Sequence, residues 1–426
     1  MSPRQYKMAR MKSVLMLLAV SVAASAQKTE IPALLTMART PANPAFVPAL
    51  RDTLTQKAID SGAAVAGYGP DFLFVTQAPT TPELYIDDVR SGAMQAVPGN
   101  PQLWMMQAKL RLGTSHNFYY MVDGKQFGGN HDIAAFTPDS YAKPGAPQGT
   151  LSEKMVHTSK LYDGMVSDWW IYVPAQYDAA KPAALMVWHD GQGMINRTAA
   201  ANSLNVFDNL TAQGKIPVMI QVFIAPGKIG EKAMRSIEYD TVSEKYTRFV
   251  DDEIMPLVYA KYNVRRDGYS RAAAGNSSGG ISAFNMAWFH PDEFSRVLMR
   301  IASFANLQQN HAGEFDGGNT YPYRVRREDK RPIRVWSADG TEDLENPFGS
   351  WPSNNINMAN SLKFRDYDFH MSWSNGSHNG AHGNAELPEA MTWLWRDYDP
   401  AKTSDTFPPD PDEKAKPFFR VKSFNR

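Results

Sequence analysis

Arg271-Ala-Ala-Ala-Gly275-Asn276-Ser277-Ser278-Gly279-Gly280-Ile281-Ser-Ala-Phe-Asn-Met-Ala287 is the stretch on which the reading of this chain turns. Its centre is Gly-x-Ser-x-Gly around Ser277. Ser278 cannot be the central serine, because Asn276 would then stand where a glycine is required. A serine held on a sharp turn between a strand and a helix has a strained backbone, and side chains two residues to either side would collide. Glycines at 275 and 279 permit that turn and leave the Ser277 hydroxyl exposed. The small residues before the motif suit a strand, and the apolar run after it suits a helix. The first N–H groups of such a helix have no partner within it, so they point at negative charge developing beside the serine. The motif alone is also a common glycine-rich turn, so its context decides.

A serine nucleophile needs a base and a group that orients the base. When the serine sits on a strand–helix turn, the acid and then the histidine follow it in the chain. Five of the nine histidines lie beyond Ser277: His290, His311, His370, His378 and His382. His290 falls in the helical region just after the motif. His370 lies in an alternating strand, opposite the face shared by Tyr367, Phe369, Met371 and Trp373. The loop Gly376-Ser-His-Asn-Gly-Ala-His-Gly383 follows that strand, and a loop at a strand end can bring a base to the nucleophile. His378 is the expected base, with His382 lining the pocket or serving as the alternative base. The acid is expected after the strand Ile333-Arg-Val-Trp-Ser337, in Ala338-Asp-Gly-Thr-Glu-Asp-Leu-Glu345. Asp343 is the first choice, with Glu342 and Asp339 as alternatives. Two backbone N–H groups, of Ser278 and of Gln192 in Val187-Trp-His-Asp-Gly-Gln-Gly193, are the expected oxyanion donors. His189 and Asp190 lack a third ligand at metal-binding spacing, so no metal and no other cofactor is expected.

Outward from this centre, residues 150–400 alternate strand and helix. Strand-like runs fall at 169–173, 184–188, 218–224, 333–337 and 368–373, and helical patterns at 246–262 and 388–396. This is the pattern of an α/β domain built on a mostly parallel sheet. Upstream, Asp71-Phe-Leu-Phe-Val75, Glu83-Leu-Tyr-Ile86, Gln102-Leu-Trp-Met-Met106 and Asn117-Phe-Tyr-Tyr-Met-Val122 are short aromatic and branched runs separated by Gly, Pro and Asp turns. They predict a small immunoglobulin-like β-sandwich over residues 66–145, ending at the linker Lys143-Pro-Gly-Ala-Pro-Gln-Gly149. Residues 27–65 show one helix-like stretch near 49–64 and no legible role. Residues 401–426 read as a loose polar tail.

The whole chain has 426 residues, 44 basic and 44 acidic side chains and no cysteine. Balanced charge removes the electrostatic case for a nucleic-acid partner. The lack of cysteine excludes disulfides, thiolate metal sites and a thiol nucleophile. Arg4, Lys7, Arg10 and Lys12 precede the apolar run Val14-Leu-Met-Leu-Leu-Ala-Val20 and the small residues Ala23-Ala-Ser-Ala26. These are the parts of a secretory signal over residues 1–26, whose apolar run is too short for a membrane span. The protein is therefore expected to be exported, to the periplasm or beyond the cell.

Trp188-His-Asp-Gly-Gln192, Arg235-Ser-Ile-Glu-Tyr-Asp240, Tyr269-Ser-Arg271, the Ser277 motif, Asp339-Gly-Thr-Glu-Asp343 and Gly376-Ser-His-Asn379 together resemble the enterochelin-esterase and feruloyl-esterase group of α/β-hydrolases. The resemblance runs over residues 168–398. It implies an α/β-hydrolase fold with Ser277 as nucleophile, Asp343 as acid and His378 as base. It also implies that Arg235, Glu238 and Trp188 belong to the surroundings of the site. Where many relatives carry Gly-Gly-His, this chain has Gly376-Ser377-His378. Trp104 and the run Tyr119-Tyr-Met-Val-Asp-Gly124 give the sandwich a likeness to glycogen-binding accessory domains, although Trp104 and Tyr120 suit a core better than a sugar platform. The expected activity is serine ester hydrolysis on feruloyl or acetyl esters of plant polysaccharide. Siderophore lactones are the alternative substrate, and an inactive carbohydrate-binding scaffold is the alternative function.

Overall fold

The computed structural model describes residues 29–198, 200–308 and 317–420. The signal expected over residues 1–26 lies outside the described residues, as does His311. Among the described residues, no helix is long and apolar enough to cross a membrane.

The N-terminal part contains two antiparallel four-stranded sheets. One orders its strands Ala64–Tyr68, Asp71–Gln77, Asn100–Lys109 and Gln95–Val97. The other orders them Val89–Ala93, Glu83–Ile86, Thr114–Val122 and Lys125–Ala135. Phe72, Phe74, Leu84, Phe118, Tyr120 and Ile133 fill the space between the sheets. Side chains alternate along a strand, so Leu73 and Val75 face the other way. There they pack with Leu34, Leu35, Phe46, Leu50 and Ile59 from the helices Ile31–Met37, Phe46–Thr53 and Gln56–Asp60. The segment without a legible role therefore covers one outer face of the sandwich. Trp104 is half-buried and donates its indole N–H to Ala78 O at 2.9 Å, and Tyr120 is fully buried.

The second part is a twisted sheet ordered Lys232–Ala233, Lys228–Ile229, Val166–Val173, Met219–Ile224, Ala184–His189, Arg271–Asn276, Arg296–Arg300, Arg334–Glu342 and Asp368–Ser377. The six strands from Met219–Ile224 to Asp368–Ser377 run parallel, and Val166–Val173 pairs antiparallel with Met219–Ile224. Helices cover both faces. Residues of Ser203–Ala212 and Leu387–Leu394 form the core on one face, and residues of Ser278–Phe289 and Trp351–Phe364 join the core on the other. The strand Ala184–His189 lies between Met219–Ile224 and Arg271–Asn276, so successive connections leave it in opposite directions across the sheet. The carboxyl ends of strands at such a switch point open a crevice for ligands. Ser277 and Gln192 both follow strands that end there.

Three features depart from expectation. The strand Arg296–Arg300 is fully buried although arginine stands at both of its ends. The helical region 246–262 is two short α-helices joined by a π-helical stretch, Phe249–Ile254. Residues 401–420 are docked rather than loose. Phe407 is 1% exposed and stacks on Tyr269, and Glu413 is buried beside His370 at 3.1 Å.

Candidate active site

Ser277 ends the strand Arg271–Asn276 and caps the helix Ser278–Phe289, with φ 56° and ψ −122°. A non-glycine residue at positive φ is strained and persists only where its surroundings hold it. Its N–H donates to Arg300 O at 2.9 Å, and its carbonyl accepts from Ser303 N at 3.1 Å. The flanking glycines are sterically required. A Cβ on Gly275 would lie 2.3 Å from Gly279 O, and one on Gly279 would lie 3.0 Å from the Cβ of His189.

Three side chains distant in sequence are hydrogen-bonded in series. His378 Nε2 is 2.8 Å from Ser277 Oγ, and His378 Nδ1 is 2.5 Å from Asp343 Oδ1. The Asp343 side chain is fully buried and that of His378 is 20% exposed. Burial works to raise the Asp343 carboxyl, but hydrogen bonds from His378, Asp339 and Leu344 N outweigh it and hold it below its usual range. An ionised Asp343 only accepts, so Nδ1 must donate and neutral His378 keeps Nε2 as an acceptor for the serine proton. Burial, together with the hydrogen bond to Asp343, pushes Asp339 well above the ordinary carboxylate range, so it stays protonated and donates to Asp343. Asp339 thus buttresses Asp343, and Glu342 is exposed.

Two further residues that the sequence does not single out, Ser303 and Trp351, adjoin the series. Ser303 Oγ is 3.3 Å from Ser277 Oγ and also accepts from Trp351 Nε1 at 3.3 Å. The Trp351 ring meets His378 edge-on at 5.7 Å. Neither carries a motif. Ser303 lies just past the strand Arg296–Arg300, which the sequence reading did not recognise.

Ser278 is the first residue of its helix, where the backbone N–H has no intrahelical partner. Gln192 lies in the single 3₁₀ turn Gly191–Gly193. A Cβ on Gly191 would stand 2.6 Å from Ile224 N, so glycine lets this turn pack against the adjoining strand. Arg235 pairs bidentately with Asp190 at 2.8 and 2.7 Å, and the Asp190 carboxylate lies against Gly279 at the helix start. Arg235 is thus a partly exposed cation at the rim.

Of the residues expected around the pocket, Trp188 and Glu238 are buried in the core, and His382 lines a small cavity with Asn276, Asp339 and Ser377 without bonding to Ser277. Trp188 is 1% exposed, donates to Gln221 Oε1 at 2.8 Å and packs on Phe207. Strand alternation turns it away from the face of His189. Glu238 is 1% exposed and accepts from Gly227 N at 2.8 Å, inside the core. His382 lies between Thr114 Oγ1 at 3.2 Å and Ser372 Oγ at 3.0 Å, bridging to the sandwich instead of reaching Ser277. His189 donates from Nδ1 to Ala274 O, and burial lowers its pKa to about 4, so it is a neutral structural group. Among the described residues, no three His, Asp or Glu side chains cluster so as to hold a metal.

A mostly parallel sheet flanked by helices, with a strained serine at its switch point, defines an α/β-hydrolase fold. A family model described as "Putative esterase" matches residues 168–392, more than half of the chain. The chain belongs to that esterase family and is a carboxylic-ester hydrolase. Among solved structures, an enterobactin esterase from Shigella flexneri aligns with TM-score 0.52 at 16% identity, covering 77% of this chain and 94% of that one. The ferric enterobactin esterase of Salmonella typhimurium aligns with TM-score 0.50 at 16% identity, over 76% and 93%. A ferulic acid esterase of the anaerobic fungus Anaeromyces mucronatus aligns with TM-score 0.47 at 16% identity, over 63% and 98%.

Proposed function

We propose that the protein is an exported serine esterase that works through an acyl-enzyme, with Ser277 as nucleophile, His378 as base and Asp343 as the orienting acid. The observation that carries this reading is the hydrogen-bond series from Ser277 Oγ through His378 to Asp343. Ser277 Oγ attacks the ester carbonyl while His378 Nε2 takes its proton, and Asp343 stabilises the imidazolium. The N–H groups of Ser278 and Gln192 bind the oxyanion. His378 then protonates the departing alcohol, and water, deprotonated by the same imidazole, releases the acid and restores the serine.

The proposed substrates are feruloyl or acetyl esters carried on polysaccharide, a choice supported by the expected export and by the accessory sandwich. Siderophore lactones are the second reading. It is favoured by one observation: the likeness to an enterobactin esterase covers 77% of the chain.

The test is hydrolysis of 4-nitrophenyl acetate, methyl ferulate and an enterobactin-type trilactone by the full chain, with fluorophosphonate labelling of Ser277 in parallel. Wild type should be labelled at Ser277, and Ser277→Ala should lose about 10⁴–10⁶ in kcat. An unlabelled wild type with an intact fold refutes the mechanism. A preference for the trilactone over methyl ferulate selects the second substrate class.

A further inference from the structure

We propose that Asp132, in the β-sandwich, is a positioning residue for the base, holding the loop that carries His378 from the opposite side; this rests on the catalytic reading above.

Asp132 is delivered by an irregularity in the sandwich. In the pairing of Thr114–Val122 with Lys125–Ala135, His116 faces Ile133 and Phe118 faces Asn130. One residue, 117, therefore stands against two, 131 and 132, which is a β-bulge. Bulges re-aim a side chain out of the regular ladder. Asp132 takes φ 70° there, and its N–H donates to Asn117 Oδ1 at 2.8 Å.

The redirected carboxylate meets the base loop. Oδ1 accepts from Ser377 N at 2.9 Å, and Oδ2 accepts from the Ser377 hydroxyl and from the Asn379 side-chain amide. These two residues stand on either side of His378. One step earlier, Asn117 Nδ2 donates to Asn375 O at 3.1 Å, and Asn375 Nδ2 donates to Asp87 Oδ1 at 3.1 Å. Asp87 is itself fixed by His116 Nδ1 at 2.6 Å and by Asn117 N at 3.0 Å. Gly376 completes the fit, since a Cβ there would lie 3.0 Å from Asp132 Oδ1. Residues 375, 377 and 379 are thus tied to the sandwich, while His378 points the other way, to Ser277.

The consequence is catalytic because proton transfer depends on placement. A misplacement of about 1 Å can cost on the order of 10² in rate. A hydrogen-bonded carboxylate gripping both neighbours of the imidazole restricts that error. A contact that merely glues two domains would lack this dependence on His378.

A double-mutant cycle in the full chain separates the two roles, with 4-nitrophenyl acetate as substrate. Asp132→Ala should lower kcat by about 10–100-fold and leave KM within about threefold. In a His378→Ala background the same substitution should change the residual rate by less than about twofold, because there is no imidazole left to place. Asp132→Asn keeps the acceptor for Ser377 N and should recover part of the loss. Thr114→Val, which removes a different bond across the same interface, should stay within about twofold of wild type. If Asp132→Ala does not fold, Asn379→Ala removes one arm from an exposed side chain and should lose about 3–10-fold in the same cycle. Wild-type kcat in Asp132→Ala, or an equal loss in both backgrounds, overturns the clamp. Hydrolysis indifferent to His378→Ala in otherwise wild-type protein overturns the catalytic reading, and the clamp with it.

Discussion

Glu238→Gln should change how the stability of this protein depends on pH. The carboxyl is 1% exposed. One oxygen accepts from Gly227 N at 2.8 Å, and the other has no partner among the described residues. Burial raises its pKa from 4.5 to about 7, against the opposing effects of the Gly227 hydrogen bond and Arg235. Below pH ~4.5 the group is protonated in both the folded and the unfolded chain, so its full contribution to stability is present. Between about 4.5 and 7 unfolding releases a proton, so stability falls as pH rises. Above about 7 both forms are ionised and the loss is complete. A rise of about 2.5 units at 1.36 kcal/mol per unit corresponds to a loss of about 3 kcal/mol. Glutamine cannot ionise and still accepts from Gly227, while its buried amide adds a cost of about 1–3 kcal/mol that does not vary with pH. The variant should therefore gain about 3 kcal/mol on wild type between pH 4 and 8.5. At about 2–4 °C per kcal/mol for a domain of this size, that is a relative Tm shift of about 6–12 °C. Thermal unfolding of both full chains at pH 4, 5.5, 7 and 8.5, at constant ionic strength, measures it. Parallel Tm curves for the two proteins would refute an ionisable Glu238 inside the core.

Two other substitutions probe the site. Asp343→Asn removes the anion that fixes the His378 tautomer and should lower kcat by about 10⁴, or about 5 kcal/mol of transition-state stabilisation, with the far-ultraviolet circular dichroism unchanged. A loss below tenfold would contradict the role proposed for Asp343. Gly275→Ala places a methyl 2.3 Å from Gly279 O and must spread the turn. It should cost about 1–3 kcal/mol in chemical denaturation and slow fluorophosphonate labelling of Ser277.

Strands whose burial follows from their own residues were legible. Glu83–Ile86 occupies the predicted span, and Asp71–Gln77 extends the apolar run Asp71-Phe-Leu-Phe-Val75. That run is apolar at successive positions because both faces are covered, the inner by the second sheet and the outer by the N-terminal helices. The sequence marked the run as a strand but not the helices of residues 31–60 that cover its outer face. The strand Arg296–Arg300 was illegible for the opposite reason. Arg296 sits 4.8 Å from the Tyr269 and Trp395 rings and 5.1 Å from Phe407, and its Nη1 donates to Leu394 O. Arg300 Nε donates to Asn276 Oδ1 at 2.8 Å. Only the assembled fold provides those partners, and a buried guanidinium is tolerable only with them. Phe407 comes from the segment that reads as a polar tail, so this partner of Arg296 too is brought in only by folding.

The same distinction divides the site. Ser277 sits in a local motif whose spacing the chemistry dictates, whereas Asp343 and His378 were first choices among Glu342, Asp339 and His382; these three are the side chains that the structure hydrogen-bonds in series, Ser277 to His378 to Asp343. Trp188, Glu238 and His382 belong to equally suggestive motifs, yet the placement of each depends on which face its element presents. One step along a strand separates His189 from Trp188 and sends them to opposite sides of the sheet. Asp132 could not be found by spacing at all, because it meets the base loop from 245 residues upstream, through a bulge in another sheet. A nucleophile and its oxyanion donors need only one strand–helix turn and the strand beside it, and such geometry is written locally. The proposed base follows Asp368–Ser377, the edge strand of its sheet, so its geometry must be supplied by whatever packs there. In this protein that is the sandwich. Residues 150–400 by themselves would carry the proposed nucleophile, oxyanion donors and acid, but not the Asp132 carboxylate that grips both neighbours of the His378 imidazole.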